Sequence, residues 1–265
     1  MMERFDLVIA GGGAAGLSLA LAVKAAAGSQ LSVAVCDPSE ERQAQGDSRA
    51  YAIVAGACRF FDSFGAWPLM REAAQPILGM EITDSALEEP YRAPFLEFLQ
   101  QDKGDGIRPH MLPNGAIVSA LLKRARDLGV ALLPVSISAF RVAGARIEAQ
   151  AGERRFSARL LVAADGRGSK LREAAGIAYY GWKYPQTAIV GTVHHTLPHE
   201  GIAVQHFLPS GPFALLPLTG NRCSIVWSEK HEIARRMLGL DADELLEEHS
   251  NLATVHALYA EVSLQ

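Results

Sequence analysis

The sequence predicts an α/β chain: a Rossmann-like dinucleotide-binding domain combined with a second, mostly antiparallel sheet. Three observations carry this. Within Phe5–Cys36 an apolar run meets a glycine-rich turn, then an alanine-rich stretch without proline, then a second apolar run. Further on, "RLLVAADG" is another apolar run that ends in a turn. From Tyr184 onward, short β-rich runs are separated by Pro, Gly or Asn, the pattern of antiparallel strands.

The first unit is a β-α-β pattern. Phe5–Ala10 suits a strand buried on both faces. Gly11-Gly12-Gly13-Ala14-Ala15-Gly16 matches G-x-G-x-x-G, and Ala14–Ala27 is good helix-forming sequence that Gly28 is placed to end. Leu31–Cys36 predicts the second strand, closed by Asp37 and Pro38. In this motif Gly11 permits the tight turn, Gly13 lets the backbone approach a pyrophosphate, and Gly16 lets helix and strand pack closely. The free N–H groups and positive dipole end of the helix, at Ala14 and Ala15, then face phosphate oxygens. Asp37 lies where an acid accepts ribose hydroxyls. These residues leave NAD and FAD as alternatives.

The elements that follow are less regular. "SEERQAQGDSRAYAI" reads as a polar loop leading into an apolar helix around Val54–Phe64. Residues 76–110 read as irregular excursions and edge strands. Asn114 can cap a helix reaching about Leu128, with Lys123, Arg124 and Arg126 near its C-terminal end, where cations suit the dipole. "VALLP" is a strand, and short alternating stretches at 137–143, 146–150 and 154–157 suggest a small antiparallel meander. Leu160–Ala164 reads as a separate buried strand, Asp165-Gly166 as a turn, and Ser169 as the cap of a helix carrying Arg172. "QTAIVGTVHH", "GIAVQHF", "PFALLPL" and "RCSIVW" predict four strands, the last two joined by Thr219-Gly220-Asn221. Helix resumes at His231, with a new cap near Asp241.

These elements divide the chain into a nucleotide-binding domain (1–75 and 105–180), a sheet domain (76–104 and 181–230) and a helical tail (231–265). Composition narrows the function classes. With 49% hydrophobic and 20% charged residues and a net charge of −4, the chain offers no broad basic field for nucleic acid. No apolar run approaches a membrane span of about 20 residues, and no basic, then apolar leader precedes Phe5. A cytosolic protein is expected, with room for contact at a membrane periphery. Cys36, Cys58 and Cys223 are widely spaced and odd in number, which predicts buried thiols rather than disulfides. His194, His195 and His199 do not predict a metal site, because Pro198 bars the helix that H-E-x-x-H spacing requires.

Four stretches taken together resemble the FAD-dependent aromatic hydroxylases: the Gly11–Gly16 turn, "DSRAYAI", "VAADGRGSKLR" and "GPFALLPLTGNRCSIVW". The resemblance is closest to the hydroxylases of ubiquinone biosynthesis and extends from about Phe5 to about Leu246. Its most specific part is Asp165–Arg172, a D-G-x-x-S-x-x-R match. It implies FAD as cofactor, with Gly11, Gly13 and Gly16 cradling its pyrophosphate and Asp37 its ribose. It also places Arg49 near the cofactor, Asp165 and Gly166 near the flavin pyrophosphate, and leaves Asn114 either near that pyrophosphate or a helix cap only.

The implied activity is a monooxygenase reaction. NAD(P)H reduces the flavin, O₂ reoxidises it, and oxygen is transferred to the phenolic ring of a polyprenylated precursor. The flavin carries that chemistry, so no side chain is singled out as catalytic. Phe207, Phe213, Leu215 and Trp227 are either the wall that covers the ring or ordinary core. A flavin-dependent dehydrogenase, or a non-catalytic partner in an assembly of quinone-biosynthesis enzymes, remains the alternative. The family's third motif, a Gly-Asp followed by His-Pro, finds no counterpart at Gly46-Asp47 or Gly104-Asp105. Roughly the C-terminal third of the family's length is also missing, so truncation, a shifted frame or a fragment is expected, with weak or no FAD retention and no hydroxylation by the isolated chain.

Overall fold

The structure is a computed structural model that describes residues 2–39, 49–84, 94–99, 108–241, 244 and 262–264. The polar segment at 40–48, with Gly46-Asp47, and the Gly104-Asp105 pair lie outside them.

In chain order the elements begin with β1 (Met2–Ala10), α1 (Ala14–Ala27), β2 (Val33–Cys36) and β3 (Ala50–Ile53). Two helices follow, α2 (Ala55–Ser63) and α3 (Trp67–Met70), then the short strands β4 (Gln75–Pro76), β5 (Gly79–Thr83), β6 (Leu96–Leu99) and β7 (His110–Pro113). Next come α4 (Asn114–Asp127), β8 (Ala131–Leu133), β9 (Ala139–Ala143), β10 (Arg146–Ala151), β11 (Arg154–Ala163) and α5 (Lys170–Ala174). The last are β12 (Gln186–His195), β13 (Ile202–Leu208), β14 (Gly211–Leu218), β15 (Arg222–Lys230), α6 (His231–Met237) and β16 (Val262–Leu264). The architecture is the mixed α/β class that the sequence predicts.

Two compact units emerge. The first comprises Met1–Asp47, Arg59–Arg71 and Asn114–Gly181; the second comprises Ser48–Cys58, Glu72–Pro113 and Trp182–Gln265.

The first unit is built on a six-stranded sheet in the order β8-β2-β1-β11-β10-β9. β8, β2, β1 and β11 run parallel, while β10 and β9 are antiparallel additions at one side. Parallel strands are buried on both faces and need continuous apolar sequence; Val8, Ile9 and Ala34 meet that demand at full burial. Phe156, Ala158, Ala149 and Leu171 join Val8 and Cys36 in this core. α1 lays Leu17, Ala20 and Leu21 inward, and α4 packs beside it. One expectation is corrected here. The two short strands read at 154–157 and 160–164 are one ten-residue strand, β11. Pairing with β1 from Met2↔Arg155 to Ala10↔Ala163 keeps it continuous across Ser157–Arg159, where the sequence alone shows a polar break.

The second unit holds a seven-stranded sheet in the order β16-β12-β15-β14-β13-β5-β6 and a small sheet β3-β7-β4. The four strands read between Gln186 and Ser228 are all present, and β14 and β15 form the expected hairpin around Thr219–Asn221. β13 pairs parallel with β5, and the remaining pairs of the seven-stranded sheet are antiparallel. Trp227, Phe213, Leu215 and Ile225 form its core with Ala234 and Met237 of α6. Phe207, by contrast, is exposed, because neighbouring strand residues face opposite sides. At Asp241 the expected cap forms: the Glu244 N–H donates to Asp241 Oδ1 at 2.9 Å, and the Asp241 N–H donates to Glu244 Oε2 at 3.0 Å. In the tail read as helical, Val262–Leu264 is instead a strand, paired with Val193–His195. Among the described residues, no helix is long and apolar enough to cross a membrane.

Candidate functional site

The candidate site lies in the first unit, where the parallel strands β1, β2 and β11 end. Ala10 and Ala163 are register partners at the ends of β1 and β11, and Ala10 pairs on its other side with Cys36 of β2. The glycine turn, the acid after β2 and the Asp165 turn therefore emerge side by side. In open α/β sheets this end of the strands is where ligands bind.

The glycine turn is shaped by backbone, not by side chains. Gly11 has φ +114°, and a Cβ there would lie 2.1 Å from the Ala164 carbonyl oxygen and 2.9 Å from the Asp165 nitrogen. Only glycine accommodates both the left-handed conformation and the contact. A Cβ on Gly16 would lie 2.0 Å from the Gly11 carbonyl oxygen, so the helix start presses directly on the turn. α1 opens at Ala14 with Gly13 as its cap residue, no side chain capping it and no acid in its first turn. The first N–H groups of a helix have no intrahelical acceptor. In a fourteen-residue helix they combine with the dipole to favour an anion. Ala14 is half-buried and Ala15 exposed, so the first turn of the helix adds only methyl groups to this mouth.

Asp37 is buried and turned back toward the glycines. Its Oδ2 accepts the Gly12 N–H at 2.6 Å, and its Oδ1 accepts both the Ser39 N–H and the Ser39 hydroxyl at 2.8 Å. These bonds fix the direction of the side chain at the end of β2. Gly12 is the residue that sequence reasoning passed over. A Cβ on it would lie 2.8 Å from the Asp37 Cβ. Its signal was the middle glycine of three in a row, at a position where the motif accepts any residue.

Asp165 opens the second turn. The Ser169 hydroxyl donates to Asp165 Oδ1 at 2.6 Å and accepts the Arg172 N–H at 3.0 Å, capping α5 as expected. Gly166 follows at φ +91° and is exposed. The Arg172 guanidinium donates to the Arg167 carbonyl at 3.0 Å and lies over the Tyr179 ring at 5.0 Å. Asp165 is thus oriented by Ser169 while it stays exposed.

Asn114 is half-buried and opens α4 in the same unit. Arg49 belongs to the second unit, where it precedes β3, with its guanidinium 5.9 Å from the Tyr51 ring centre. The structure thus brings together Gly11, Gly13, Ala14, Ala15, Gly16, Asp37, Asp165 and Gly166.

In the second unit His195 and His199 each bond backbone carbonyls. His195 is buried; its Nδ1 donates to the Leu197 carbonyl at 2.6 Å, and its Nε2 lies 3.4 Å from the Cys223 sulfur. His199 Nε2 donates to the carbonyls of Leu218 and Gly220, and its Nδ1 accepts the Gly201 N–H. Burial pushes the His195 pKa below the usual histidine value, partly offset by the Leu197 carbonyl.

Comparison with known proteins agrees with this geometry. Residues 4–263 match the family described as FAD binding domain. The ubiquinone hydroxylase UbiL of Rhodospirillum rubrum is 37% identical over 242 residues, covering 90% of this chain and 55% of that protein. The mitochondrial ubiquinone biosynthesis monooxygenase COQ6 of Mus musculus is 30% identical over 267 residues, covering 92% of this chain and 54% of that protein. The solved structure of PqsL from Pseudomonas aeruginosa superposes with a TM-score of 0.75 at 19% identity, over 99% of this chain and 73% of its own. That last likeness is one of fold. The chain spans about half the length of the curated relatives it matches.

Proposed function

Because the chain belongs to the FAD binding domain family, we propose that it forms the dinucleotide-holding part of a flavin-dependent monooxygenase. The substrate is the phenolic ring of a polyprenylated quinone precursor, with NAD(P)H and O₂ as co-substrates. One observation carries the cofactor reading: an uncapped helix mouth at Gly13–Gly16 stands beside Asp37 and the Asp165 turn. The substrate reading rests on likeness to UbiL and COQ6, whose names state ubiquinone hydroxylation and ubiquinone biosynthesis.

The residues present fit FAD. The N–H groups of Gly13, Ala14, Ala15 and Gly16 would hold the pyrophosphate, because no side chain of the turn neutralises them. Asp37 would accept a ribose hydroxyl, with its direction set by Gly12 and Ser39. Gly11 holds the turn against Ala164, so that the helix mouth keeps its direction without reorganising. Asp165 and Gly166 border the same cradle, and Ser169 fixes the Asp165 carboxylate. When bound, FAD supplies the hydride acceptance and oxygen chemistry, which no side chain could provide.

Equilibrium titration with FAD tests the reading, followed by flavin fluorescence quenching with ADP as competitor. Saturable one-to-one binding that ADP displaces is the expected result. Absence of saturable binding both by this chain and by the chain joined to the rest of a longer relative overturns the cofactor assignment. The activity arm supplies a short-chain polyprenyl phenol and NAD(P)H to the chain joined to the rest of a longer relative. A product heavier by one oxygen atom is expected there. NAD(P)H consumption without that product favours the dehydrogenase reading instead.

A further inference from the structure

One face of the six-stranded sheet collects arginines. Phe140, Ala149 and Phe156 belong to the core of the first unit, so their strand neighbours face outward. Register places Arg141, Glu148, Ser157 and Arg4 side by side across β9, β10, β11 and β1. On the same face Arg155 and Arg159 stand two residues to either side of Ser157, and Arg146 stands two residues from Glu148. Five arginines thus share this face with two acids, Glu148 and Asp6, on a chain whose net charge is −4. The neighbouring Arg154 and Glu3 pair at 2.8 Å on the opposite face.

The two acids are already engaged. Arg141 Nε donates to Glu148 Oε2 at 2.9 Å. Asp6 Oδ2 accepts the Ser32 N–H at 3.0 Å and the Ser32 hydroxyl at 2.8 Å, and its Oδ1 lies 3.6 Å from Arg159. Arg146 lies across β11, donating to Ser157 Oγ at 2.8 Å and to the Phe5 carbonyl at 2.7 Å. Arg4 and Arg155 are exposed and have no hydrogen-bond or ion-pair partner among the described residues. A cavity of about 230 Å³ opens between Arg141 and Arg155.

A guanidinium presents a planar fork of donors that matches phosphate oxygens. A protein partner needs an apolar centre with aromatic anchors. Besides arginine and acid, the outward positions hold only Met2, Ala139, Ala143, Gln150 and Ser157. A single nucleic-acid strand needs stacking platforms, which these residues do not supply either. A layer of lipid phosphates asks only for positive charge spread over a flat surface, and a sheet face is one. We propose that the face of Arg4, Arg141, Arg155 and Arg159 is a docking surface for the anionic phosphate layer of a lipid bilayer. Its purpose rests on the function proposed above: a polyprenylated precursor dissolves in that bilayer. Arg4 stands six residues before Ala10 on β1, about 20 Å along the strand, so a substitution there does not touch the glycine turn.

Co-sedimentation with vesicles tests this without flavin or substrate. The chain is expected to bind phosphatidylcholine vesicles that contain about one-third phosphatidylglycerol, and to be released by about 0.5 M salt. It should ignore pure phosphatidylcholine. Each arginine near an anionic leaflet strengthens binding about fivefold, so Arg4→Glu combined with Arg155→Glu should weaken it at least about twentyfold. The melting temperature and FAD titration of that variant should match those of the parent chain, so a failure of docking and a failure of the cofactor reading are told apart. Lys123→Glu combined with Arg126→Glu makes an equal charge change at exposed positions of α4 and should leave binding within about threefold. Absence of binding to the anionic vesicles overturns the proposal, as does equal binding to neutral ones. So does binding that survives the Arg4 and Arg155 reversals, or an equal loss in the α4 variant, which marks net charge as the cause. Tighter binding to polyglutamate than to the anionic vesicles assigns the face to an acidic polypeptide and overturns it as well.

Discussion

The Gly12 N–H and the Asp37 carboxylate meet at 2.6 Å across 25 residues of chain, locking the glycine turn to the end of β2. Both groups are buried, so removing the acceptor leaves a donor without water. Asp37→Ala is expected to cost about 1–3 kcal/mol of stability and to weaken FAD binding by about tenfold or more. Asp37→Asn keeps an oxygen for Gly12 and should lose less of both. Urea unfolding followed by circular dichroism and a flavin titration separate the two effects.

Gly11 and Gly28 offer a matched pair of substitutions. Both have positive φ, but a Cβ on Gly11 meets the Ala164 carbonyl, whereas one on Gly28 meets nothing within 4 Å. Gly28→Ala should cost about 1 kcal/mol, the penalty of the left-handed conformation alone. Gly11→Ala should cost about 2–4 kcal/mol and abolish FAD binding, because backbone must move. Equal losses for the two variants would contradict the close approach.

Ser169 links the Asp165 carboxylate to the first turn of α5. Ser169→Ala is expected to cost about 1 kcal/mol through the lost cap. It should also release Asp165. A double-mutant cycle with Asp165→Ala should then show coupling of about 0.5 kcal/mol or more, read from urea midpoints.

His195 predicts an acid sensitivity of the seven-stranded sheet. Its folded-state pKa lies below the ordinary value of 6.5. As pH falls through that value, the unfolded chain takes up a proton that the folded chain refuses. Stability is therefore full above the ordinary value, is lost as pH falls toward the folded pKa, and is flat below it. The urea midpoint should drop between pH 7.5 and pH 5, and His195→Gln should flatten that part of the profile.

Cys36 closes β2 in the core, and burial pushes its thiol up to about 11. The thiolate is the reactive form. In native protein at pH 8, Cys36 should resist a thiol-specific reagent until denaturant is added, which mass spectrometry of the labelled peptide reads directly.

Much of this was legible in the residues. The glycine turn, the helix after it, the caps at Ser169 and Asp241 and the strands after Tyr184 are local patterns, governed by neighbours a few positions apart. The family was legible too, because the Gly11–Gly16 turn and the Asp165–Arg172 segment belong to the FAD binding domain that the whole chain matches. Gly12 was passed over because its importance depends on Asp37 folding back across it. The continuity of β11 was hidden because β1, not local alternation, holds the polar stretch Ser157–Arg159 in strand.

By itself the sequence determined the glycine turn, the helix that follows it, the cap at Ser169 and the strands after Tyr184. Tertiary structure alone decided that Gly11 touches Ala164, that Asp37 grips Gly12, and that β11 runs unbroken along β1. The physical reason lies in range. Periodicity and turn chemistry act over a few residues, whereas strand pairing joins positions some 150 residues apart through backbone groups that every sequence shares.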